Sequence, residues 1–175
     1  TPAAKVDDAS AKSIAVLPFE NLSGDKENEY FVSGMQDMIL TKLSEVRELR
    51  VASRTSTERY ADHRGSVREI AAELGVAHVL EGSVQKAGDR VLINLQLIDG
   101  RNDEHLWARA YERTLDDIFG VEGEVAKLVA EALHAELSVA EAAAVASVTT
   151  HDKEAYDRLL RSRFALPALK KSSSK

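Results

Sequence analysis

The sequence contains no cysteine among its 175 residues. This absence excludes a disulfide framework, cysteine-ligated zinc and a cysteine nucleophile. Aromatic residues make up only 5% of the chain, so its core must consist mainly of aliphatic side chains. No apolar run approaches the roughly 20 residues that span a bilayer. The chain starts at Thr1 without a leader, so we expect a piece of a longer protein whose targeting information lies upstream.

An excess of basic charge is also absent, since the formal net charge is −6 at pH 7. Nucleic-acid binding requires many basic groups to neutralise phosphates, so we expect no nucleic-acid partner for this chain. The hydrophobic share of 44% and the charged share of 30% are typical of a soluble globular domain. Any membrane contact would therefore be made by a segment outside this chain.

Hydrophobic periodicity predicts an α/β (α+β) fold with the order β-α-β-α-β-β-β-α, in which helices pack on a mixed sheet of about five strands. The run 13–19 is an apolar strand, and a helical stripe extends from Tyr30 to Val46. A capping-box spacing at Ser66 predicts a short helix that ends at Gly75.

Three further strands are predicted at 76–86, 90–98 and 104–112. Their alternation of apolar and polar residues is typical of an antiparallel meander with one covered face and one partly wet face. The segment TLDD at 114–117 has the spacing of a helix N-cap, so we predict a long helix that starts at Thr114 and ends near Leu137.

Composition divides the chain into five parts. They are a linker (1–12), an α/β domain (13–138), a second linker (139–151), an amphipathic helix (152–166) and a solvated tail (167–175). The helix at 152–166 cannot bury its apolar stripe alone. We therefore expect it to be the first piece of a truncated helical domain.

The loop 20–29 is the first place to look for a ligand, because it joins a strand to a helix. Its candidate ligands are four oxygen-bearing residues: Asn21, Asp25, Glu27 and Glu29. Nucleotide binding is disfavoured, since the acidic side chains would repel a phosphate and the glycine cluster of phosphate loops is missing. A hard cation could use these oxygens, although the spacing of a calcium loop is absent. A nucleotide or metal site here is thus the alternative to a solvated loop.

The five histidines fit structural or solvent-exposed roles better than catalytic ones. A serine nucleophile also lacks any located base. We expect no catalytic residue, no cofactor and no metal ligand in this chain.

The third strand of the meander carries a candidate interaction surface. Its members share one face by alternation: His105, Trp107, Arg109 and Tyr111. Aromatic residues and arginine anchor protein interfaces. The simpler interpretation, which we favour, is that Trp107 and Tyr111 pack beneath a helix.

Several segments of the chain resemble one bacterial domain family. They include SIAVLPFENLSGD at 13–25, LRVASRTS at 49–56, VLEGSV at 79–84, QLID at 96–99 and HLW at 105–107. Together they resemble the domain similar to the amino-terminal part of TolB, over residues 13–138. EAYDRLLRSR at 154–163 resembles the opening helix of the tetratricopeptide repeats that often follow this domain.

The resemblance implies an accessory domain in proteins that carry a kinase, a nucleotidyl cyclase or a winged-helix domain elsewhere. It also implies a periplasmic position in a membrane-anchored protein; a cytoplasmic position is the alternative. The family supplies no catalytic residues to transfer. We therefore expect a non-catalytic regulatory or protein-interaction (sensor) domain with a protein partner, or else a self-association module that forms a homodimer.

Overall fold

The structure is a computed structural model, and it describes residues 11–62, 65–118, 120–135, 138–147 and 158. In the described part of the chain, six strands form one mixed sheet: β1 (Ser13–Val16), β2 (Glu20–Asn21), β3 (Arg50–Val51), β4 (His78–Ala87), β5 (Arg90–Asp99) and β6 (Glu104–Thr114). Their order is β3-β1-β4-β5-β6, and β2 pairs with β4. Five helices within the described residues pack against this sheet. The predicted fold class is confirmed.

The parallel half of the sheet contains β1 (Ser13–Val16), β2 (Glu20–Asn21), β3 (Arg50–Val51) and the start of β4 (His78–Ala87). β1 pairs in parallel with β3 on one side and with β4 on the other. All four residues of β1 are buried. A strand covered on both faces reads as a continuous apolar run, which is how SIAVL reads in the sequence.

The antiparallel half consists of β4, β5 (Arg90–Asp99) and β6 (Glu104–Thr114), joined by two tight turns. Alternate residues of β5 are buried: Val91, Ile93, Leu95 and Leu97. The residues between them are partly or fully exposed: Leu92, Asn94 and Gln96. We call the first side of the sheet the helix face and the second side the open face.

Three helices cover the helix face. They are α1 (Glu29–Ser44), α4 (Val121–Ala132) and α5 (Val139–Ala146). Their apolar side chains join β1, β4 and β5 in one large core. Gly123 of α4 lets α5 approach, because a Cβ there would lie 2.3 Å from the carbonyl oxygen of Val145.

Among the described residues, those that cover the open face lie beside β1 and the start of β4. There, α2 (Arg54–Thr57), a 3-10 turn (Glu58–Tyr60) and α3 (Val67–Leu74) enclose a small core around Leu17 and Val79. The Ser66 hydroxyl caps α3 by accepting from the amide of Glu69, and Gly75 ends the helix with φ of 67°. Both predicted ends of this helix are confirmed.

One predicted helix start needs correction. The helix predicted to open at Thr114 begins at Val121, because the 114–117 segment closes as a hydrogen-bonded turn in which the Asp117 amide donates to Thr114. Within the segment 139–151, the alanine-rich start forms α5, which packs on α1 and α4 through its buried Val145. The sequence did not predict β2 and α2, because these elements have only two and four residues and are too short to show a hydrophobic period. The predicted helix at 152–166 lies outside the described residues, apart from Arg158.

Candidate functional site

The register of β6 separates the four residues of the predicted interaction surface. Trp107 pairs with Leu97 across the strands, whereas His105 pairs with Ile98, so Leu106 is an extra residue in a β-bulge. Cross-strand partners share a face, and the adjacent residues Leu97 and Ile98 point to opposite faces. His105 therefore lies on the open face, and the prediction that it shares a face with Trp107 was wrong.

The other three residues lie on the helix face. Trp107 is half-buried and packs against the large core, as the simpler interpretation predicts. Its indole Nε1 is nonetheless buried without a hydrogen-bond partner among the described residues. An orphaned buried donor costs about 1–3 kcal/mol. Trp107 thus combines a packing role with an unused polar group.

Tyr111 and the arginines of β6 line a groove beside α4, which we call the β6–α4 groove. It has a volume of about 410 Å³ and includes Arg109, Arg113 and Lys127 together with Glu124 and Glu131. The Arg113 guanidinium carbon lies 5.6 Å from the centre of the Tyr111 ring.

Burial, with a smaller contribution from the Glu124 carboxylate, raises the pKa of Tyr111 above its usual value. The phenol therefore stays protonated and can donate a hydrogen bond into the groove.

β6 is also the outermost strand on its side of the sheet, and no described strand pairs with its outer edge. Alternate backbone amides and carbonyls of its 11 residues therefore point outward. Such an edge is a template for an added strand from another chain. The opposite edge strand, β3, has only two residues and therefore offers a much shorter template than β6.

The loop 20–29 uses two of its four predicted ligands to hold its own backbone. The Asn21 Oδ1 accepts from the Ser23 amide at 3.0 Å, and its Nδ2 donates to the Asp25 carbonyl at 3.1 Å. The Asp25 carboxylate accepts from the Glu27 amide at 2.9 Å and caps the 3-10 turn Lys26–Asn28. Glu27 is exposed. The loop is thus shaped by local hydrogen bonds, as expected for Asn and Asp in turns.

Asn21 and Glu29 both line a crevice of about 580 Å³, whereas Asp25 and Glu27 are not among its lining residues. We call it the strand-end crevice. Its polar lining consists of Glu20, Asn21, Glu29, Ser33, Gln36 and Asp62. Its apolar lining consists of Pro18, Phe19, Val32 and Ala61.

The topology explains why a crevice opens at this place. After β1 the chain enters α1 on the helix face, and after β3 it enters α2 and α3 on the opposite face. β1 and β3 are adjacent and parallel, so the loops at their carboxyl ends diverge. Ligands of open α/β sheets bind at such a switch point.

Gln36 is the most deeply buried polar group of the strand-end crevice, with 4% of its surface exposed. Its Oε1 accepts from the Phe19 amide at 3.4 Å. No described residue makes a hydrogen bond with its Nε2, so two N–H donors remain available at the crevice wall.

A second polar cluster joins the two halves of the sheet. The His78 Nδ1 lies 3.2 Å from the Ser13 carbonyl oxygen, and Asp99 stands opposite His78 across the strands. Burial lowers the pKa of His78 from its usual value, and the Arg101 guanidinium holds the pKa of Asp99 low through hydrogen bonds of 2.8 and 3.1 Å. This cluster ties β1 to the hairpin.

Among the described residues, no group of three histidines or carboxylates is close enough to hold a metal ion. None of the helices in the described part of the chain has the length and apolarity needed to cross a membrane.

Sequence reasoning found Asn21 and Glu29 but missed Ser33, Gln36 and Asp62. A glutamine among the apolar positions of α1 was the available signal for Gln36. Asp62 lies in a polar stretch and becomes a neighbour only through the path of the chain after β3.

Comparison with known proteins gives a family match over most of the domain. The family described as "HilA/YgeH-like transcriptional regulator, second domain" matches residues 10–119. A protein of Rhizobium meliloti (strain 1021) named "Putative adenylate cyclase 3" is 47% identical over 154 residues. That alignment covers 88% of this chain and 26% of the relative, so the chain spans about a quarter of that protein.

Two solved structures share the fold. TolB from Acinetobacter baumannii aligns with 69% of this chain and 28% of its own, with a TM-score of 0.52 and 18% identity. Lipoprotein GNA1162 from Neisseria meningitidis aligns with 73% of this chain and 99% of its own, with a TM-score of 0.50 and 21% identity. At these identities the likeness shows the fold alone, and it agrees with the TolB-like fold that the sequence motifs imply.

Proposed function

We propose that this chain, which belongs to the HilA/YgeH-like transcriptional regulator second-domain family, is a non-catalytic protein-interaction domain that regulates a longer signalling protein. One geometric observation supports a protein-binding role. The long outer edge of β6 runs beside the β6–α4 groove, where Tyr111, Arg109 and Arg113 are grouped. Aromatic and arginine side chains beside an unpaired strand edge are the anchors that a docking peptide uses.

A comparison supports the regulatory role. The family is described as a domain of transcriptional regulators, whereas the Rhizobium meliloti relative is named for a cyclase activity. One domain that accompanies two such different activities fits a shared control function. The catalytic or DNA-binding output would then belong to other parts of the longer protein.

The partner of the β6 edge would be an extended protein segment with acidic residues. Arg109 pairs with Leu95 and Arg113 with Val91, so both arginines lie on the helix face. Carboxylates on an added strand would meet these guanidinium groups. Two β6 edges related by a two-fold axis would instead bring like charges together, which disfavours self-association through this strand.

The test places a photo-crosslinking amino acid at position 109 of the full chain in its native cells. We expect a discrete crosslinked protein species from this position. The control is position 96 on the open face of the neighbouring strand, where Gln96 is exposed and no crosslink is expected. Crosslinking from both positions, or from neither, would refute binding at β6. A crosslinked species with twice the mass of the chain would favour the self-association alternative.

Arg109→Glu then measures the charge dependence, with Gln96→Glu as its matched control. We expect Arg109→Glu to weaken partner binding by about tenfold or more, since close interfacial charge pairs contribute about 1.5 kcal/mol or more. Gln96→Glu should leave binding unchanged. Equal effects of the two variants would mean that only net charge matters.

We propose that the domain precedes tetratricopeptide repeats, as the motif at 154–163 suggests, and that it faces the periplasm. The alternative is a cytoplasmic domain. Fusing alkaline phosphatase behind the domain of the full-length protein decides between them, because this enzyme is active only outside the cytoplasm.

A further inference from the structure

We propose that the strand-end crevice binds a small organic cation that also carries a hydrogen-bond acceptor, such as an amino sugar or an amine-bearing amide. The site is separate from the β6–α4 groove, since it is built from the loops after β1 and β3 and from α1. Occupancy of the crevice is therefore testable independently of any protein partner.

Charge defines the first requirement of the ligand. Glu20, Glu29 and Asp62 place carboxylates around the crevice, and none of its described lining residues is basic. Phosphates and carboxylates would be repelled by this lining, and an ammonium or guanidinium group would be attracted. Because the described carboxylates do not converge as a metal-ligating group, the charge is spread around an opening rather than focused on one ion.

Gln36 supplies the second requirement. Since its Oε1 is engaged by the Phe19 amide, the amide Nε2 is the group left to meet a ligand. Gln36 is 4% exposed, and its Nε2 faces the crevice, where it can donate to an acceptor of a bound ligand. A hydroxyl or carbonyl oxygen of the ligand would fill that position, and Ser33 beside it can donate or accept.

Size and shape set the third requirement. A volume of about 580 Å³ lies within the usual range for small-molecule sites. The crevice also has an apolar part of its lining, formed by Pro18, Phe19, Val32 and Ala61. A ligand with a short carbon skeleton between its charged and its neutral polar groups would therefore fit better than a bare ion.

The experiment is an amide NMR titration of the full chain with three cations: glucosamine, argininamide and putrescine. Glucose is the neutral control for glucosamine, because it has a hydroxyl in place of the ammonium group. We expect at least one acceptor-bearing cation at millimolar concentration to shift the resonances of the Gln36 side-chain amide and of Asp62. If no cation shifts them, or if glucose shifts them equally, the proposal is wrong.

Two exposed carboxylates provide variants that should fold. Glu29→Gln and Asp62→Asn should each weaken the cation about threefold to fivefold, the size expected for one solvent-screened charge pair. Glu27→Gln is the matched control in the same acidic loop, because Glu27 does not line the crevice. Equal weakening by Glu27→Gln would mean that the cation follows net charge only, which would overturn the site.

Gln36→Met tests the neutral contact, because it removes the amide at similar volume. It should abolish the preference for glucosamine and argininamide over putrescine, which lacks an acceptor. A preference that survives in folded Gln36→Met would refute the role of this amide. If this variant does not fold, the carboxylate variants still decide the proposal.

Discussion

The two faces of β5 differ sharply in burial. Val91, Ile93, Leu95 and Leu97 on the helix face are at most 1% exposed, whereas Gln96 on the open face is exposed. The open face nevertheless offers few anchors on β6, where it presents Ala108 and Ala110. The β6–α4 groove lies against α4 on the helix face, and the strand-end crevice lies between the segments that follow β1 and β3. Both candidate sites instead combine exposed charged groups with a buried aromatic neighbour, Tyr111 in the groove and Phe19 in the crevice.

Replacing one leucine on each face of β5 gives the sharpest test of this comparison. Leu97→Ala should lower the free energy of unfolding by about 3 kcal/mol, since its fully buried side chain leaves a cavity in the core. Leu92→Ala, the same change on the open face, should cost about 1 kcal/mol or less because solvent already reaches Leu92. Urea unfolding measures both values. Equal costs would mean that the open face is covered in solution.

This comparison also shows what the sequence could and could not reveal. The alternation Val91, Ile93, Leu95, Leu97 predicted both faces of β5 correctly, because period-two patterning records burial on one side. Alternation gave the wrong face for His105 on β6. The bulge at Leu106 adds one residue to the strand and reverses the face of the residues before it, and nothing in the hydrophobic pattern of β6 marks this extra residue. A register slip is decided by pairing with β5, which lies outside the local sequence.

The crevice was predictable only in part for a similar reason. A polar loop between a strand and a helix drew attention to Asn21 and Glu29, which do line it. Gln36 was hidden because a polar residue in a helix is ordinarily solvent-exposed. Asp62 follows β3, and only the parallel pairing of β3 with β1 brings the two loops together.

The second prediction concerns the cover of the helix face. Lys42 of α1 is almost buried, and its Nζ donates to the carbonyls of Ala144 and Ser147 at 2.7 and 3.0 Å, at the end of α5. Lys42→Met should weaken the docking of α5 by about 1–2 kcal/mol, because charged hydrogen bonds are lost from a part-buried site. Amide hydrogen exchange in α5 should accelerate correspondingly.

Lys26→Met is the control for this variant, since Lys26 is an exposed lysine in the 3-10 turn. It should leave exchange in α5 unchanged. If Lys42→Met also leaves it unchanged, α5 is held by Val145 packing against Gly123 and not by the lysine.

The third prediction concerns the seam between the parallel and antiparallel halves. Burial lowers the pKa of His78 below 6.5, so the folded protein binds a proton there less readily than the unfolded chain does. Stability should therefore rise with pH between the lowered folded pKa and about 6.5, and fall on acidification through that window. Asp99 acts in a separate window at lower pH, because its own folded pKa is depressed.

Unfolding measured against pH in the wild type and in His78→Asn tests this expectation. The variant keeps an amide near the position of Nδ1 but cannot titrate. It should lose the rise in stability between the lowered folded pKa of His78 and about 6.5, and it should keep the dependence that Asp99 produces at lower pH. An unchanged slope would show that another group produces it.

The smallest effect is expected at Trp107, on the margin between the covered face and the β6 edge. Trp107→Phe removes a buried N–H that has no partner in the described structure, and this gain offsets the loss of packing area. We expect a net change in unfolding free energy within about 1 kcal/mol, compared with about 3–5 kcal/mol for Trp107→Ala. If the indole N–H instead meets a partner strand, Trp107→Phe should weaken partner binding while stability stays the same. A stability loss as large as that of Trp107→Ala would mean that the N–H is satisfied within the folded chain, so that Trp107 would have no unused polar group.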